Sequence, residues 1–507
     1  MIIKLNRGGE LDMIQWGISA GSHDASLAVI EGRNILFASH SERYSQIKND
    51  KNLNDAIIRA ALEYGKPTEI HWYESWRLKS LRKFVAGQGI ERFNPIDYLR
   101  QFESFIDVGT ETLFSGNHHE SHAAAGFYTS PYIDSAILVI DAIGEFTTTS
   151  IWHGQLGNMQ KLWSQSYPNS LGLWYSAMTQ RIGLRPNEEE YILMGMAAYG
   201  DPKKYYNEIK SDFFKETREP FKLKQNLHKG CKWWRPELQS EQDYFDIAAA
   251  TQLIYEEIFE RLVIKCHDLV PPSIYKKRRN LVIMGGCALN CKANSIAFKY
   301  YPNVWIMPNP GDAGSSIGAV AAHNKVRLRW VTPYLGHNIT GAYPVEQLLN
   351  ELRTTGIVGV ANGGAEFGPR ALGNRSLLAD PRGAGVRDRV NEIKQRQMFR
   401  PFAPVILMEK ANQYFDMPTY SSPYMQHVSK CRYPKDFPGI IHADGTSRVQ
   451  TVHRHQNPGL YALLQRWYKE TGCPMLLNTS LNIRGKPMVN TKEDAKLFED
   501  TYNVKVF

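Results

Sequence analysis

Short apolar runs separated by polar turns occur in the same order at two places in the first half of the chain. Each set predicts a strand, a polar loop, a second strand, a tight turn and a third strand. The first set comprises residues 14–19, 27–30 and 35–38, and the second comprises 136–141, 147–152 and a run around 161–163. A repeated order of this kind indicates a duplicated module. The layout is typical of actin-like and sugar-kinase-like folds, in which two first loops face each other across a nucleotide-binding cleft.

The rest of the chain adds helices, a further strand and a change of pattern. Residues 53–64 and 244–270 carry apolar positions at helical spacing, and residues 280–284 form an apolar run that predicts a buried strand. The segment 201–240, rich in Lys, Phe and Trp, is interpreted as an insertion or a lid. A length of 507 residues favours at least two domains. The pattern changes near 331–333, which predicts domains at 1–332 and 333–507.

Two histidines near the second set have the spacing of metal ligands. His118 and His122 are four residues apart, so on a helix both imidazoles lie on one face. Asp141 ends the apolar run 136–141, and a carboxylate at the carboxyl end of a strand is placed to join them. Two imidazoles and a carboxylate suit iron, manganese or zinc. The alternative interpretation is a histidine pair on the surface or in the core.

Two glycine-containing turns follow predicted strands. Gly285, Gly286 and Asn290 follow the strand at 280–284, where glycines allow a purine or ribose to approach the backbone. Asp312 lies in a Pro-Gly-Asp-Ala-Gly turn that enters a helix of small residues. It is a candidate fourth metal ligand or phosphate-site residue.

The segment after residue 333 places several cations beside glycine and proline. Arg370 and Arg375 lie five residues apart on a loop framed by Gly and Pro, a spacing suited to a fork-like anion clamp. Lys394 and Arg400 follow, and residues 477–482 add amide and hydroxyl donors, among them Asn478 and Ser480. The alternative for any one Arg is a salt bridge on a solvated face. Together they favour a phosphate site.

Charge and cysteine content narrow the partners and the compartment. A net charge of +9 and a pI near 9.0 favour an anionic partner. We prefer phosphorylated small substrates to nucleic acid, because no basic block or nucleic-acid motif is present. Six cysteines without paired spacing indicate reduced thiols, and no apolar run reaches membrane-spanning length. The expectation is a cytoplasmic protein with no membrane partner.

Several longer segments carry a family resemblance. They are EFGPRALGNRS at 366–376, FRPFAP at 399–404, DGTSRVQTV at 444–452 and NTSLN at 478–482, with HHESH, GGCALN and PGDAG in the right order before them. In these segments the chain resembles the NodU/CmcH-type O-carbamoyltransferases from about residue 14 to its end. The resemblance implies an α/β fold with a duplicated actin-like, sugar-kinase-like N-terminal domain at 1–332. It implies a YrdC-like α+β domain at 333–507.

The resemblance also implies a two-step reaction. Carbamoyl phosphate and ATP would give carbamoyladenylate and pyrophosphate in the C-terminal domain, and the N-terminal domain would pass the carbamoyl group to an acceptor hydroxyl. The expected cofactors are Fe²⁺ or another divalent metal, and ATP with Mg²⁺. The expected acceptor is a sugar, nucleoside or nucleotide. Nucleic acid and a second copy of the chain, as a homodimer, stay open as further partners.

Carried over by motif, the resemblance gives each candidate residue a role. His118, His122, Asp141 and Asp312 would bind the metal. Gly285, Gly286 and Asn290 would lie against adenosine, and His23 would be the general base or orient the acceptor. The groups expected to hold phosphates and the carbamoyl group are Lys48, Arg370, Arg375, Lys394, Arg400, Asn478 and Ser480.

The chain departs from the family pattern at a few positions. Gln46 stands where a basic residue is usual, and Tyr191 and Ile192 replace a Gly-Lys pair after Glu190. The second change lies near the expected acceptor side. Two other functions stay open: a small-molecule kinase, which would release ADP instead of AMP, and a nucleotide- or nucleic-acid-binding protein, whose binding would fall steeply with salt.

Overall fold

The computed structural model describes residues 13–89, 93–107, 109, 112–273, 278–383 and 385–507. Its first half is built around two five-stranded sheets in the described residues. The first sheet consists of β1 (Ile14–Ser19), β2 (Ser26–Glu31), β3 (Asn34–His40), β4 (Glu69–Trp72) and β5 (Leu113–Ser115). The second consists of β6 (Asp134–Ile140), β7 (Thr147–Gln155), β8 (Asn158–Ser166), β9 (Asn280–Met284) and β10 (Asn303–Ile306).

Both sheets have the same topology. Their strand orders are β3-β2-β1-β4-β5 and β8-β7-β6-β9-β10. In each sheet the first three strands along the chain are antiparallel neighbours, and the last two join in parallel. The predicted duplication and the α/β class of this half are therefore confirmed.

Helices cover the two sheets and lie between them. They are α1 (Glu42–Ser45), α2 (Asp55–Leu62), α3 (Trp76–Val85), α4 (Pro95–Leu99), α5 (His118–Thr129), α6 (Leu171–Arg181), α7 (Glu190–Met196), α8 (Tyr206–Phe213), α9 (Glu241–Leu269), α10 (Cys291–Asn294) and α11 (Ser315–Asn324). Ser240 and Asp243 form a capping box at the start of α9, which packs on α6 and β6. The segment 201–240 joins this core through Phe213 and Trp234.

Helices α5 and α11 pack against each other between the sheets. The helices approach so closely that the contact requires glycine, because a Cβ on Gly318 of α11 would lie 1.9 Å from the carbonyl oxygen of Ser121 in α5. The side chain of Asn117 accepts the backbone N–H of Glu120 and fixes where α5 begins. The two helices therefore begin side by side, with His118 on one and Ser315 on the other.

The second half of the chain forms an α+β domain. Its strands are β11 (Asn338–Ile339), β12 (Ile357–Ala361), β13 (Gly363–Gly364), β14 (Arg375–Ala379), β15 (Ala403–Leu407), β16 (Phe415–Asp416), β17 (Ser429–Cys431), β18 (Thr446–Ser447), β19 (Gln450–Val452) and β20 (Met475–Ser480). Its helices are α12 (Val345–Thr355), α13 (Val386–Ile393), α14 (Met408–Tyr414), α15 (Pro458–Thr471) and α16 (Lys492–Tyr502).

The main sheet of this domain has the order β12-β14-β20-β15-β19 and is antiparallel except where β15 meets β19. Helices α12 and α15 pack on it around one apolar core. The predicted α+β character of the C-terminal half is confirmed, and the boundary between 332 and 333 stays a prediction. None of the helices in the described part of the chain combines the length and apolar character that crossing a bilayer requires.

We expect the helix–sheet contact at Gly17 to tolerate no side chain. A Cβ there would lie 1.8 Å from the backbone oxygen of Ser316 in α11. Gly17→Val should therefore lower the free energy of unfolding by about 3 kcal/mol, measured by urea denaturation. Gly195→Ala is the control, because a Cβ at Gly195 meets nothing within 4 Å. Equal stability of both variants would contradict the close packing of α11 on β1.

Candidate active site

Four side chains, which we call the His/Asp cluster, meet where β6 ends and α5 begins: His118, His122, Asp141 and Asp312. Nε2 of His118 lies 3.1 Å from Oδ2 of Asp141 and 3.1 Å from Nε2 of His122. Oδ1 of Asp312 lies 3.3 Å from Nε2 of His122 and 3.5 Å from Nε2 of His118. One ligand atom from each residue falls within 4.8 Å of the others. The structure therefore brings together the four residues predicted to bind metal.

The cluster has the donors and the surroundings of a divalent-metal site. Two Nε2 atoms that face each other at 3.1 Å share one proton or one cation between them. The outer nitrogens have neighbours that orient the rings: Oγ of Ser315 lies 3.1 Å from Nδ1 of His122. Nδ1 of His118 is buried without a hydrogen bond, and Oε2 of Glu74 lies 3.8 Å from it. Such outer partners fix the rings of metal-binding histidines, so the residues present fit a metal ion.

The imidazoles and carboxylates of the cluster shift one another's pKa values. Burial lowers the pKa of His118, but the charge of Asp312, the hydrogen bond of Asp141 and the nearby carboxylate of Glu74 outweigh burial and raise it well above its usual value. Burial likewise raises the pKa of Asp141, but its hydrogen bond to His118 and the charge of that ring lower it overall. A proton on the imidazoles therefore does what a divalent cation would do, and the two compete.

A cavity of about 1800 Å³ opens beside the cluster and extends into the C-terminal domain. Most of the predicted site residues line it: His23, Lys48, His118, Asp141, Gly286, Asn290, Asp312, Arg370, Lys394, Arg400, Asn478 and Ser480. His122 lies in the cluster without lining the cavity. Residues from both halves of the chain thus face one space.

Five cations on the C-terminal side of this cavity form what we call the cationic clamp: Arg370, Lys394, Arg396, Arg400 and Arg448. Burial and the neighbouring charge of Arg448 lower the pKa of Arg370 to about 9. Burial and Arg400 lower the pKa of Arg396 to about 8. Cations that repel one another in a buried site favour a multiply charged anion.

Two members of the clamp, Arg396 and Arg448, were not among the predicted residues. Arg396 lies two positions after Lys394, and Arg448 lies inside the DGTSRVQTV motif, so a signal for both was present. Glu74 was also missed. It lies just beyond the carboxyl end of β4, the edge of an α/β sheet at which side chains reach a ligand, so a carboxylate in this position was the signal for it.

Lys394 orders the loop after β20 while it contributes charge. Its Nζ donates to the carbonyl oxygen of Ser480 at 2.6 Å and to Oδ1 of Asn482 at 2.5 Å. Burial and the charges of Arg396 and Arg400 lower the pKa of Lys394 well below its usual value. Nδ2 of Asn478 donates to the carbonyl oxygen of Ala371, which ties β20 to the Arg370 loop.

His23 lines the cavity on the side of Asp312, and its Nδ1 lies 3.0 Å from Oδ2 of Asp24. Burial lowers the pKa of His23, but its hydrogen bond to Asp24 and the charges of Asp24 and Asp312 outweigh burial and raise it to about 9. The ring is therefore largely protonated at neutral pH. A cation bound by Asp312 would weaken this effect. The general-base role of His23 stays a prediction, as does the phosphate role of the exposed Lys48 at the cavity rim.

Two of the predicted ligand contacts are corrected by the structure. Gly285 does not line the cavity; its φ is 90° and a Cβ there would lie 2.2 Å from the carbonyl oxygen of Ile140. It is needed for a close backbone approach instead of an adenosine contact. The neighbouring Gly286 lines the cavity and donates its N–H to Oδ1 of Asp141 at 3.1 Å.

Arg375 is the second correction. Its side chain is fully buried and does not line the cavity. The guanidinium donates five hydrogen bonds to backbone carbonyl oxygens. They belong to Asn362, Gly363, Asn374, His337 and Asn490. Arg375 therefore connects loops of the C-terminal domain and is not a phosphate ligand.

The departures at Gln46 and Tyr191 have local explanations. Gln46 ends α1 in a left-handed conformation, and its side chain donates to the carbonyl oxygen of Arg43. The guanidinium of Arg400 lies 4.8 Å from the ring centre of Tyr191, a cation–π contact between the two halves of the chain. Asn290, which lines the cavity, exchanges side-chain hydrogen bonds with Gln252 at 3.0 and 3.1 Å.

Two family models match the chain and together cover well over half of it. The model for the carbamoyltransferase N-terminus matches residues 89–321, and the model for the carbamoyltransferase C-terminus matches residues 349–506. This chain belongs to the carbamoyltransferase family. The family predicted from the motifs is confirmed.

Curated relatives match this carbamoyltransferase over most of its sequence. An uncharacterised protein of Synechocystis sp. is 32% identical, with 94% of this chain and 93% of that protein covered. The nodulation protein NolO of Bradyrhizobium diazoefficiens is 32% identical over 75% of each chain. The 3'-hydroxymethylcephem-O-carbamoyltransferase of Amycolatopsis lactamdurans is 27% identical over 94% of each chain.

We expect the His/Asp cluster to bind one divalent ion per chain, with stronger binding as the pH rises, because protons on the imidazoles compete with the metal. His118→Asn should reduce the bound metal at least tenfold, measured by elemental analysis after purification with Fe²⁺ under reducing conditions. His153→Asn is the matched control, since His153 also pairs with an aspartate, Asp134, but does not line the cavity. Equal metal content in both variants would contradict the site.

We expect Arg375 to act on stability. Arg375→Lys cannot make the five hydrogen bonds of the guanidinium and should lower the free energy of unfolding by about 3 kcal/mol, measured by urea denaturation. The control is Arg353→Lys, which changes a surface ion pair with Glu470. Weaker phosphate binding at unchanged stability would restore the role first predicted for Arg375.

Proposed function

We propose that this carbamoyltransferase is an ATP-dependent O-carbamoyltransferase that works through carbamoyladenylate. The supporting observation is that both halves of the chain share one cavity. In it the His/Asp cluster of the N-terminal half faces the cationic clamp of the C-terminal half. One end is suited to a metal and the other to phosphates. A reaction that joins a nucleotide to a carbamoyl group and then passes that group on needs both ends within one space.

The first step forms carbamoyladenylate from carbamoyl phosphate and ATP. Hydrolysis of carbamoyl phosphate breaks its P–O bond and yields carbamate and phosphate. A carbamate oxygen then attacks the α-phosphorus of ATP, and the bond to the β-phosphate breaks to release pyrophosphate. Arg370 and its neighbours in the clamp would stabilise the negative charge on the departing pyrophosphate.

The second step transfers the carbamoyl group. The acceptor oxygen attacks the carbamoyl carbon, the bond between that carbon and the phosphate oxygen breaks, and AMP leaves with the electron pair. Carbamoyl phosphate itself is a poor donor, because the amide nitrogen deactivates its carbonyl carbon. His23 lines the cavity close enough to Asp312 for their charges to interact. With a cation on Asp312 lowering the pKa of His23, the neutral ring would accept the hydroxyl proton, and in its protonated form it would orient the acceptor.

The His/Asp cluster would hold Fe²⁺ or another divalent metal, and ATP would enter with Mg²⁺. A metal held in this cluster would supply a Lewis acid for negative charge that develops during the reaction. The chain's own contribution is to hold four ligand atoms within 4.8 Å and to orient the rings through Ser315 and Glu74. The mixed imidazole and carboxylate donors suit iron, manganese or zinc.

A hydroxyl acceptor is supported by a relative whose name describes O-carbamoylation of a hydroxymethyl group on a cephem. We propose a sugar-, nucleoside- or nucleotide-like acceptor for this chain. A kinase would also need a phosphate site near a duplicated α/β fold, but it would not need a second set of cations in another domain. The products distinguish the two reactions.

We expect the metal-loaded protein to release AMP and pyrophosphate from ATP only when carbamoyl phosphate is present, and carbamoyl phosphate itself yields the phosphate. Arg370→Gln should slow this release at least 100-fold, because a clamp cation facing the reacting phosphates is lost. Products are measured by ³¹P NMR and ion-exchange chromatography. The control is Arg466→Gln, whose arginine pairs with Glu346 on the surface.

Release of ADP in place of AMP would favour the kinase instead. If wild-type protein with full metal content hydrolysed ATP at the same rate with and without carbamoyl phosphate, the proposed reaction would be contradicted.

A further inference from the structure

Arg82, on α3, is a buried cation that faces the cavity outside the clamp. Its side chain is 5% exposed and lines the cavity. Nε donates to the carbonyl oxygen of Glu145 at 3.2 Å, and Nη1 donates to Oε1 of Gln88 at 2.9 Å. Both acceptors are neutral, and within the described residues the guanidinium pairs with no carboxylate. A buried guanidinium is stabilised when an anion binds it.

Two other buried arginines of this chain, Arg181 and Arg375, differ from Arg82 in their partners and their position. Arg181 donates to the carbonyl oxygens of Trp234, Arg235 and Leu238, and Arg375 donates five such bonds. Neither lines the cavity. Both Nη atoms of Arg375, and Nε and Nη2 of Arg181, are thus hydrogen-bonded within the protein. Arg82 makes two hydrogen bonds and faces the space where substrates bind.

Arg82 lies at the cluster end of the cavity. The carboxylate of Glu145, whose carbonyl oxygen Arg82 binds, accepts the backbone N–H of His118 at 2.9 Å. Further cations line this end of the cavity, namely Lys51, Lys79 and Lys83. Lys79 pairs with Glu74 at 2.5 Å. The cluster end therefore holds cations of its own beside the carboxylates of the His/Asp cluster, separate from those of the clamp.

We propose that the acceptor carries a phosphate group and that Arg82 binds this phosphate at the cluster end of the cavity. The inference deepens the proposed function and rests on it, since it assumes that the acceptor hydroxyl reacts beside the His/Asp cluster. ATP and carbamoyl phosphate both react at the clamp in the proposed first step, so a further cationic subsite at the cluster end suits an anionic group on the acceptor. A phosphate accepts two parallel N–H bonds from a guanidinium, which would orient the acceptor.

Two sources of this chemistry are a phosphate monoester, as in a nucleotide or sugar phosphate, and the phosphodiester of a nucleic acid. Both match the net charge of +9. A monoester carries its charge on a small molecule that fits inside the cavity. A phosphodiester would extend out of the cavity along the chain of the polymer.

The test is calorimetric titration of inorganic phosphate into protein saturated with α,β-methylene-ATP, an analogue that cannot react at the α-phosphorus. We expect wild-type protein to bind one equivalent of phosphate more than Arg82→Gln, with Arg82→Lys weakened at least tenfold. The matched control is Arg181→Lys, a buried arginine away from the cavity, which should bind as wild type. Thermal melting shows which variants are folded.

Equal phosphate binding by wild-type protein, Arg82→Lys and Arg82→Gln would overturn the proposal. Competition then separates the two sources. Displacement of phosphate by uridine 5′-monophosphate but not by uridine supports a monoester. Displacement by an oligonucleotide without terminal phosphates supports a phosphodiester, and displacement by neither compound overturns the proposal. Release of ADP by the wild-type enzyme would refute the proposed reaction and leave this binding result readable on its own.

Discussion

The close packing of α11 on α5 is the constraint on which the site depends. Glycine at 318 lets the two helix backbones approach until a Cβ would overlap a carbonyl oxygen. This approach brings the turn that carries Asp312 beside the first two turns of α5, where His118 and His122 lie. It also places Ser315 against the outer nitrogen of His122. A larger residue at 318 would push the two helices apart, and with them the residues of the cluster that they carry.

The electrostatics of the cavity follow from this arrangement. Buried carboxylates and imidazoles are concentrated at one end, and cations that repel one another are concentrated at the other. In a site of low dielectric, either set of charges costs free energy if it has no partner of opposite charge. A metal matches the first set and phosphates match the second. The fold thus holds in advance the charges that a reaction between nucleotide, carbamoyl group and hydroxyl requires.

Prediction from the sequence succeeded where a signal was local. His118 and His122 lie one helical turn apart, and Asp141 follows a run of apolar residues, so spacing alone placed them together. The duplicated order of strands was visible for the same reason. Prediction failed where burial decided the role. Arg370 and Arg375 lie in the same motif, yet Arg375 is enclosed by carbonyl oxygens and Arg370 faces the cavity.

By itself the sequence determined the secondary structure of the two modules, the family, and the residue types that can bind metal and phosphate. These properties depend on short-range periodicity and on chemical identity. Only the tertiary structure decided which cations share a cavity with the His/Asp cluster. Arg82, Arg396 and Arg448 come from separate elements, and their side chains meet one space because sheets and helices pack around it. Contacts between residues hundreds of positions apart leave no pattern in a single chain.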